Sequence, residues 1–86
     1  MNDLEKVMKA FANKRRLEIV KYLKANKEAS VGDIAGTIHL SLRSTSKHLG
    51  ILTAASILEK DQRSSLVYYR LLKEPKFYAR QIIQLI

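Results

Sequence analysis

Arg43 and Lys47 stand four residues apart in a stretch that runs from Asp33 to Glu59 without an acidic residue. On a helix this spacing puts both on one face, one turn apart, where their donors can reach guanine edges; a good bidentate contact discriminates between bases by about 1–3 kcal/mol. A plain solvated pair is the simpler role for the same two charges. Around them, Ser44 and Ser46 are short enough to allow close approach to a groove and can exchange hydrogen bonds with bases, while Leu42 can touch a thymine methyl. Ser41 precedes them at a helix start, where its hydroxyl can cap the first turn and, together with free amides and the helix dipole, hold a phosphate. Farther along, Arg63 with Ser64 lies in the polar segment Asp61-Gln62-Arg63-Ser64-Ser65. An arginine at such a tip suits a minor groove or a phosphate, or serves only as a solubilising loop charge.

Other chemistries lack their residues. There is no cysteine, which removes disulfides, thiolate metal sites and thiol redox sensing. No Ser/His/Asp grouping, carboxylate pair, phosphate-binding glycine loop or His-Glu zinc motif occurs, so an enzyme is not expected. His39 falls in a turn, where a left-handed conformation is commonly needed, and His48 reads as a packing or hydrogen-bonding residue rather than a ligand. No cofactor and no metal is expected. Sixteen Lys and Arg against eight Asp and Glu give a net charge of +8, which favours nucleic acid or an anionic membrane as partner, or serves only as a solubilising basic surface; the acid-free stretch between Asp33 and Glu59 favours a phosphate backbone. No apolar run approaches the roughly 20 residues that span a bilayer, and Met1 leads into a charged amphipathic stretch unlike a secretory signal. The expected setting is cytoplasmic, with no membrane partner.

The elements that must position these residues can be read from spacing. Leu4, Val7, Met8 and Phe11 recur at helical intervals, predicting a first helix over about Asp3 to Ala12. Asn13 is placed to cap a second helix to about Asn26, with Leu17, Val20 and Leu23 on one face and Ile19 and Tyr22 widening it. Ser30 and Asp33 form an acidic variant of the capping box for a short third helix that turns inward Ile34, Ala35 and Ile38 and ends near His39. After a turn of about three residues, a fourth helix from Leu42 to about Ala55 turns Thr45, Leu49 and Leu52 inward and Arg43, Ser44 and Lys47 outward. The strand formers of 57–60 and 66–72 flank the polar tip as a hairpin. Pro75 fits the first position of a last helix from about Pro75 to Ile86, on which Tyr78, Ile82 and Leu85 form a stripe with Phe77, Ile83 and Ile86 beside it. That is more apolar surface than the terminal helix of a small monomer should expose. The fold class is therefore mainly α with a small β-hairpin, a single domain over 1–86 in the order helix, helix, helix, helix, strand, strand, helix.

Two short helices joined by a tight turn and followed by a polar-tipped hairpin make a winged helix-turn-helix. The segment Val31-Gly-Asp-Ile-Ala-Gly-Thr-Ile-His-Leu-Ser-Leu-Arg-Ser-Thr-Ser-Lys-His-Leu-Gly-Ile-Leu52 resembles the helix-turn-helix of the ArsR family of bacterial and archaeal repressors. Upstream, Ala10-Phe-Ala-Asn-Lys-Arg-Arg-Leu-Glu-Ile-Val-Lys-Tyr-Leu23 and, downstream, Leu66-Val-Tyr-Tyr-Arg-Leu71 also resemble it, so the likeness runs in order over roughly residues 4 to 72. The resemblance implies a homodimer whose first and last helices pack together through Leu4, Val7, Met8, Phe77, Tyr78, Gln81, Ile82 and Leu85. It implies double-stranded DNA as partner, with the fourth helices in successive major grooves of an inverted repeat and the wing on backbone or minor groove. The family's metal sites use cysteines of the third helix or His and acidic residues of the last helix. This chain lacks the cysteines and has only Glu74 at the margin of its last helix, which points to a member that does not sense metal. Two other readings stay open: an architectural or weakly specific DNA binder, and a winged-helix module that docks another protein through its last helix. The operator and any small-molecule effector are not legible.

Overall fold

Among the described residues, four of the five helices begin where a short polar side chain accepts a hydrogen bond from the amide three residues ahead, the usual way of satisfying a first-turn donor at a gain of about 1 kcal/mol. In a computed structural model that describes residues 2–86, these caps are Asn2 to Glu5 (2.8 Å), Asn13 to Arg16 (3.1 Å), Ser30 to Asp33 (3.2 Å) and Ser41 to Ser44 (3.1 Å). They start α1 (Asp3–Phe11), α2 (Lys14–Ala25), α3 (Val31–Ile38) and α4 (Leu42–Ala54). Only half of the expected capping box at Ser30 forms: Asp33 contributes its amide, and its carboxylate makes no return bond among the described residues.

Between α2 and α3 lies a strand that spacing alone does not announce, β1 (Glu28–Ser30). It pairs antiparallel with β3 (Leu66–Leu71), which also pairs with β2 (Leu58–Arg63), so the hairpin becomes a three-stranded sheet in the order β1-β3-β2. The registers align Glu28, Arg70 and Glu59 in one row, Ala29, Tyr69 and Lys60 in the next, and Ser30, Tyr68 and Asp61 in a third. Three residues are too few to carry a period-2 signal, and β1 exists because β3 offers it an unpaired edge. The hairpin strands are also longer than expected. Arg63 pairs with Leu66, which shrinks the turn to Ser64 and Ser65, with Ser64 at φ 56°.

The core joins Ile19, Val20 and Leu23 of α2, Ile34 of α3, Leu49 and Leu52 of α4, and Ile57 and Leu58 at the start of the hairpin, all fully buried. For α2 this corrects the expected inward face. The stripe Ile19, Val20, Leu23 turns in, and Leu17 is exposed, because α2 is rotated to pack on α3, α4 and β3 together. On α1 the expected single stripe divides in two. Val7, Ala10 and Phe11 enter the core, whereas Leu4 and Met8 remain exposed. Val7 is only 3% exposed, so its assignment to a subunit interface is corrected: its surface is already used inside the protomer.

The last helix, α5 (Phe77–Leu85), starts two residues beyond Pro75. Lys76 is its N-cap residue, extended at ψ 150° and ion-paired with Asp3 of α1, and the expected start at Pro75 is two residues early. At the other end, Lys24 Nζ of α2 donates to the carbonyls of Ile83 and Ile86 at 3.0 and 3.3 Å, a cation placed at the carbonyl end of the helix. Ala79 is buried, and Tyr78, Ile82, Ile83 and Ile86 lean on the core. Phe77, Gln81 and Leu85 share the outer side, with Phe77 72% and Leu85 87% exposed. Among the described residues no helix is long and apolar enough to cross a membrane.

Candidate nucleic-acid interface

The turn between α3 and α4 is three residues, His39, Leu40 and Ser41. His39 adopts the left-handed conformation expected of this turn, φ 57° and ψ 51°, and the amides of His39 and Leu40 both bond back to the carbonyl of Ala35. Arg15 of α2 reinforces the corner by donating from Nη1 to the carbonyl of Ile38 at 2.7 Å, with Glu18 at 3.2 Å holding the same guanidinium. A cation on the carbonyl end of α3 also complements its dipole.

Ser41 then takes up the first turn of α4: its hydroxyl accepts from the Ser44 amide and its carbonyl from that of Thr45. The amides of Leu42 and Arg43 have no partner among the described residues, which leaves the positive end of α4 open to an anion. Thr45, Leu49 and Leu52 are buried, as their spacing requires. Leu42, Arg43, Ser44, Ser46 and Lys47 are all exposed, with Leu42 at 58%. Neither Arg43 nor Lys47 is tied up in an ion pair among the described residues. The outer face of α4 is therefore a small-residue surface carrying two free cations.

Arg16 sets the position of this helix. Its guanidinium reaches three groups: Nε donates to the Ala10 carbonyl at 2.6 Å, Nη2 to the Lys9 carbonyl at 3.3 Å, and Nη1 meets His48 Nδ1 at 3.2 Å. One side chain of α2 thus closes the carbonyl end of α1 and grips α4 on the side that carries Lys47. Since arginine can only donate, Nδ1 of His48 is the acceptor and the ring proton sits on Nε2. Burial, together with the charges of Arg16, Lys47 and Arg15, holds the His48 pKa below its ordinary value and so favours the neutral ring.

The wing is arranged differently from expectation. Arg63 is the last residue of β2 rather than a loose loop charge, and it folds back along the sheet. It makes a two-pronged bond to Glu28, 2.7 and 2.8 Å, and a third to Asp61 at 3.0 Å. Arg70 bonds Glu59 at 2.7 Å on the same face. The Glu28 carboxyl is held below its ordinary pKa chiefly by the hydrogen bond from Arg63. Only Ser64 and Ser65 form the tip.

Of the residues singled out by type, the structure brings Ser41, Leu42, Arg43, Ser44, Ser46 and Lys47 onto one exposed surface and sets Arg63 and Ser64 on the separate wing. Spacing did not point to Arg15 and Arg16 as braces or to Glu28 as a partner of Arg63, since their contacts join residues 23, 32 and 35 positions apart.

No protein-family model matches the chain. Transcriptional activator HlyU of Vibrio cholerae is 35% identical over 65 residues, which cover 76% of this chain and 59% of that protein, so the chain spans less than two thirds of this relative's length. The structure of reduced HlyU from Vibrio cholerae superposes with a TM-score of 0.81 at 29% identity, covering 96% of this chain and 83% of that one. The winged helix-turn-helix domain of Mb0332 from Mycobacterium bovis gives 0.83 at 30% identity, covering 96% and 73%. That domain is described as homodimeric and DNA-binding, from a possible ArsR-family transcriptional regulator. HlyU from Vibrio vulnificus gives 0.77 at 32% identity, covering 95% and 81%. These relatives are regulators of transcription, not enzymes. With the element order, the braced helix-turn-helix and the likeness over nearly the whole chain in agreement, the protein belongs to the ArsR family of winged helix-turn-helix transcriptional regulators.

Proposed function

We propose that the protein is a homodimeric, sequence-specific double-stranded DNA-binding regulator that reads an inverted repeat with α4 in the major groove. The observation that carries this reading is the outer face of α4: Leu42, Arg43, Ser44, Ser46 and Lys47 exposed together, with no carboxylate engaging either cation among the described residues. Arg43 and Lys47 reach base edges, Ser41 and the open first-turn amides hold a phosphate, and Ser64 with Arg63 approaches the backbone or minor groove from the wing. Repression follows from operator occupancy. Among the relatives, one is named an activator and the PagR protein of Bacillus anthracis a repressor.

The two-fold partner covers Leu4 and Met8 of α1 and Phe77, Gln81 and Leu85 of α5, with Tyr78 and Ile82 at the seam. Support for this comes from the homodimeric description of the Mycobacterium bovis domain and from the high exposure of Phe77 and Leu85. Pairing through these helices sets two copies of α4 about 34 Å apart, one turn of duplex.

Selection of genomic fragments by the purified protein tests the whole reading. One enriched palindrome with two equal half-sites is expected, and Arg43→Ala should lose affinity for it and relax the preference at one position per half-site. Enrichment of no sequence, or an Arg43→Ala, Lys47→Ala double variant that binds as the parent does, would overturn the assignment.

A further inference from the structure

All three nitrogens of the Arg63 guanidinium are engaged within the protein although it lies beside the wing tip. Nη1 and Nη2 donate to the two oxygens of Glu28, Nε donates to Asp61 Oδ2, and Cζ stands 4.6 Å above the centre of the Tyr68 ring. To do this the side chain crosses the outer face of the sheet, from the Arg63–Leu66 pair, over Tyr68, to the row formed by Glu28, Arg70 and Glu59. Three carboxylates, Glu28, Glu59 and Asp61, meet two guanidiniums there. The wing face thus carries an excess of negative charge, the opposite of the α4 face.

A carboxylate presents two oxygens to an arginine fork with nearly the geometry of a phosphate. We propose that Glu28 and Asp61 act as a built-in phosphate mimic, clasping Arg63 until a duplex seated on α4 displaces them, and that Glu28 is thereby a determinant of specificity. The proposal rests on the DNA-binding reading above. A duplex held loosely by charge alone does not seat a phosphate at the wing firmly enough to displace the carboxylates, so it gains nothing from Arg63 while the clasp is closed. A duplex docked on α4 brings a phosphate to the wing and exchanges it for Glu28. The exchange is easy because every partner is solvent-exposed, and exposed ion pairs are weak and screened by salt.

Glu28→Gln tests this with a random-sequence duplex, where the clasp matters most. Removing the carboxylate should tighten binding about two- to fivefold at low salt, the scale of one surface ion pair. It should also steepen the plot of log affinity against log salt by up to about 0.9, one phosphate contact. The gain should vanish in an Arg63→Ala background, and Asp61→Asn should reproduce part of it, which keeps the test open should Glu28→Gln fold poorly. An unchanged affinity, or the same gain with and without Arg63, would overturn the clasp, the second result meaning that only net charge matters. The two failures are separable: a parent that binds no duplex at low salt sinks the DNA-binding reading and the clasp with it, while a parent that binds and is indifferent to Glu28→Gln sinks the clasp alone.

Discussion

Replacing Arg16 by methionine keeps the aliphatic stem and removes the fork that joins α1, α2 and α4. Three hydrogen bonds go: those to the Ala10 carbonyl and to His48 in half-buried surroundings, and that to the Lys9 carbonyl in an exposed one. A bond from a charged donor contributes about 1.5–3 kcal/mol when shielded. Discounting for solvent at all three and letting water reach the carbonyls leaves a loss of about 2 kcal/mol for the group. For a domain of this size that lowers Tm by about 8–16 °C, read by circular dichroism at one protein concentration, since dimerisation makes Tm concentration-dependent. A second signal separates a brace from generic destabilisation. Without the neighbouring guanidinium the His48 pKa should climb back toward 6.5, followed by NMR of the imidazole protons. Arg16→Lys keeps the charge and loses the fork, so it should lower Tm while leaving His48 nearer its depressed value. DNA affinity should fall in Arg16→Met with Arg43 and Lys47 intact. A variant with Tm within about 2 °C of the parent and an unmoved His48 titration would refute the bracing role, given the 4–8 °C expected per kcal/mol.

The remaining predictions concern burial and pH. Thr45 is fully buried and its Oγ1 has no partner among the described residues, unlike Thr37 and Thr53, whose hydroxyls bond carbonyls four residues back at 2.9 and 2.8 Å. Thr45→Val should therefore stabilise by about 1 kcal/mol in denaturant unfolding and leave DNA affinity unchanged; a destabilised variant would mean that the hydroxyl is bonded in solution. Stability should decline in two steps on acidification. The depressed pKa of His48 favours its neutral ring in the fold, so its contribution is complete above about pH 6.5 and drains as pH falls from there to the folded value. Glu28 and Asp3, lowered chiefly by hydrogen bonds from Arg63 and Lys76, contribute fully above their ordinary values of 4.5 and 3.8 and lose that contribution as pH falls through their folded ones. Urea midpoints measured across pH should show the upper step disappearing in His48→Gln and the lower one persisting.

Much of the architecture could be read locally. Helix caps at Asn13, Ser30 and Ser41, the inward spacing of Thr45, Leu49 and Leu52, and the left-handed turn at His39 all involve residues within about four positions of one another, the range over which a helix turn or tight corner is decided. For that reason the outward surface of α4, the heart of the candidate site, was legible before any coordinates. The apolar excess of the last helix was legible too, since its composition exceeded what a terminal helix can hide.

Tertiary structure decided what depends on distant partners. Whether Leu17 or Ile19 of α2 turns inward, and whether Val7 serves core or interface, follows from how each helix is rotated against its neighbours, and a broad apolar stripe permits either. The strand at Glu28–Ser30 exists through pairing with residues about forty positions later, and its propensity is too slight to foretell it. The Arg16 grip on His48 and the Glu28 hold on Arg63 likewise join side chains that only folding brings within 3.2 and 2.8 Å. Arg63 is the plainest instance: residue type and position marked it as a cation offered to solvent at a wing tip, and the third strand, by bringing Glu28 across the sheet, turned it into a cation already engaged.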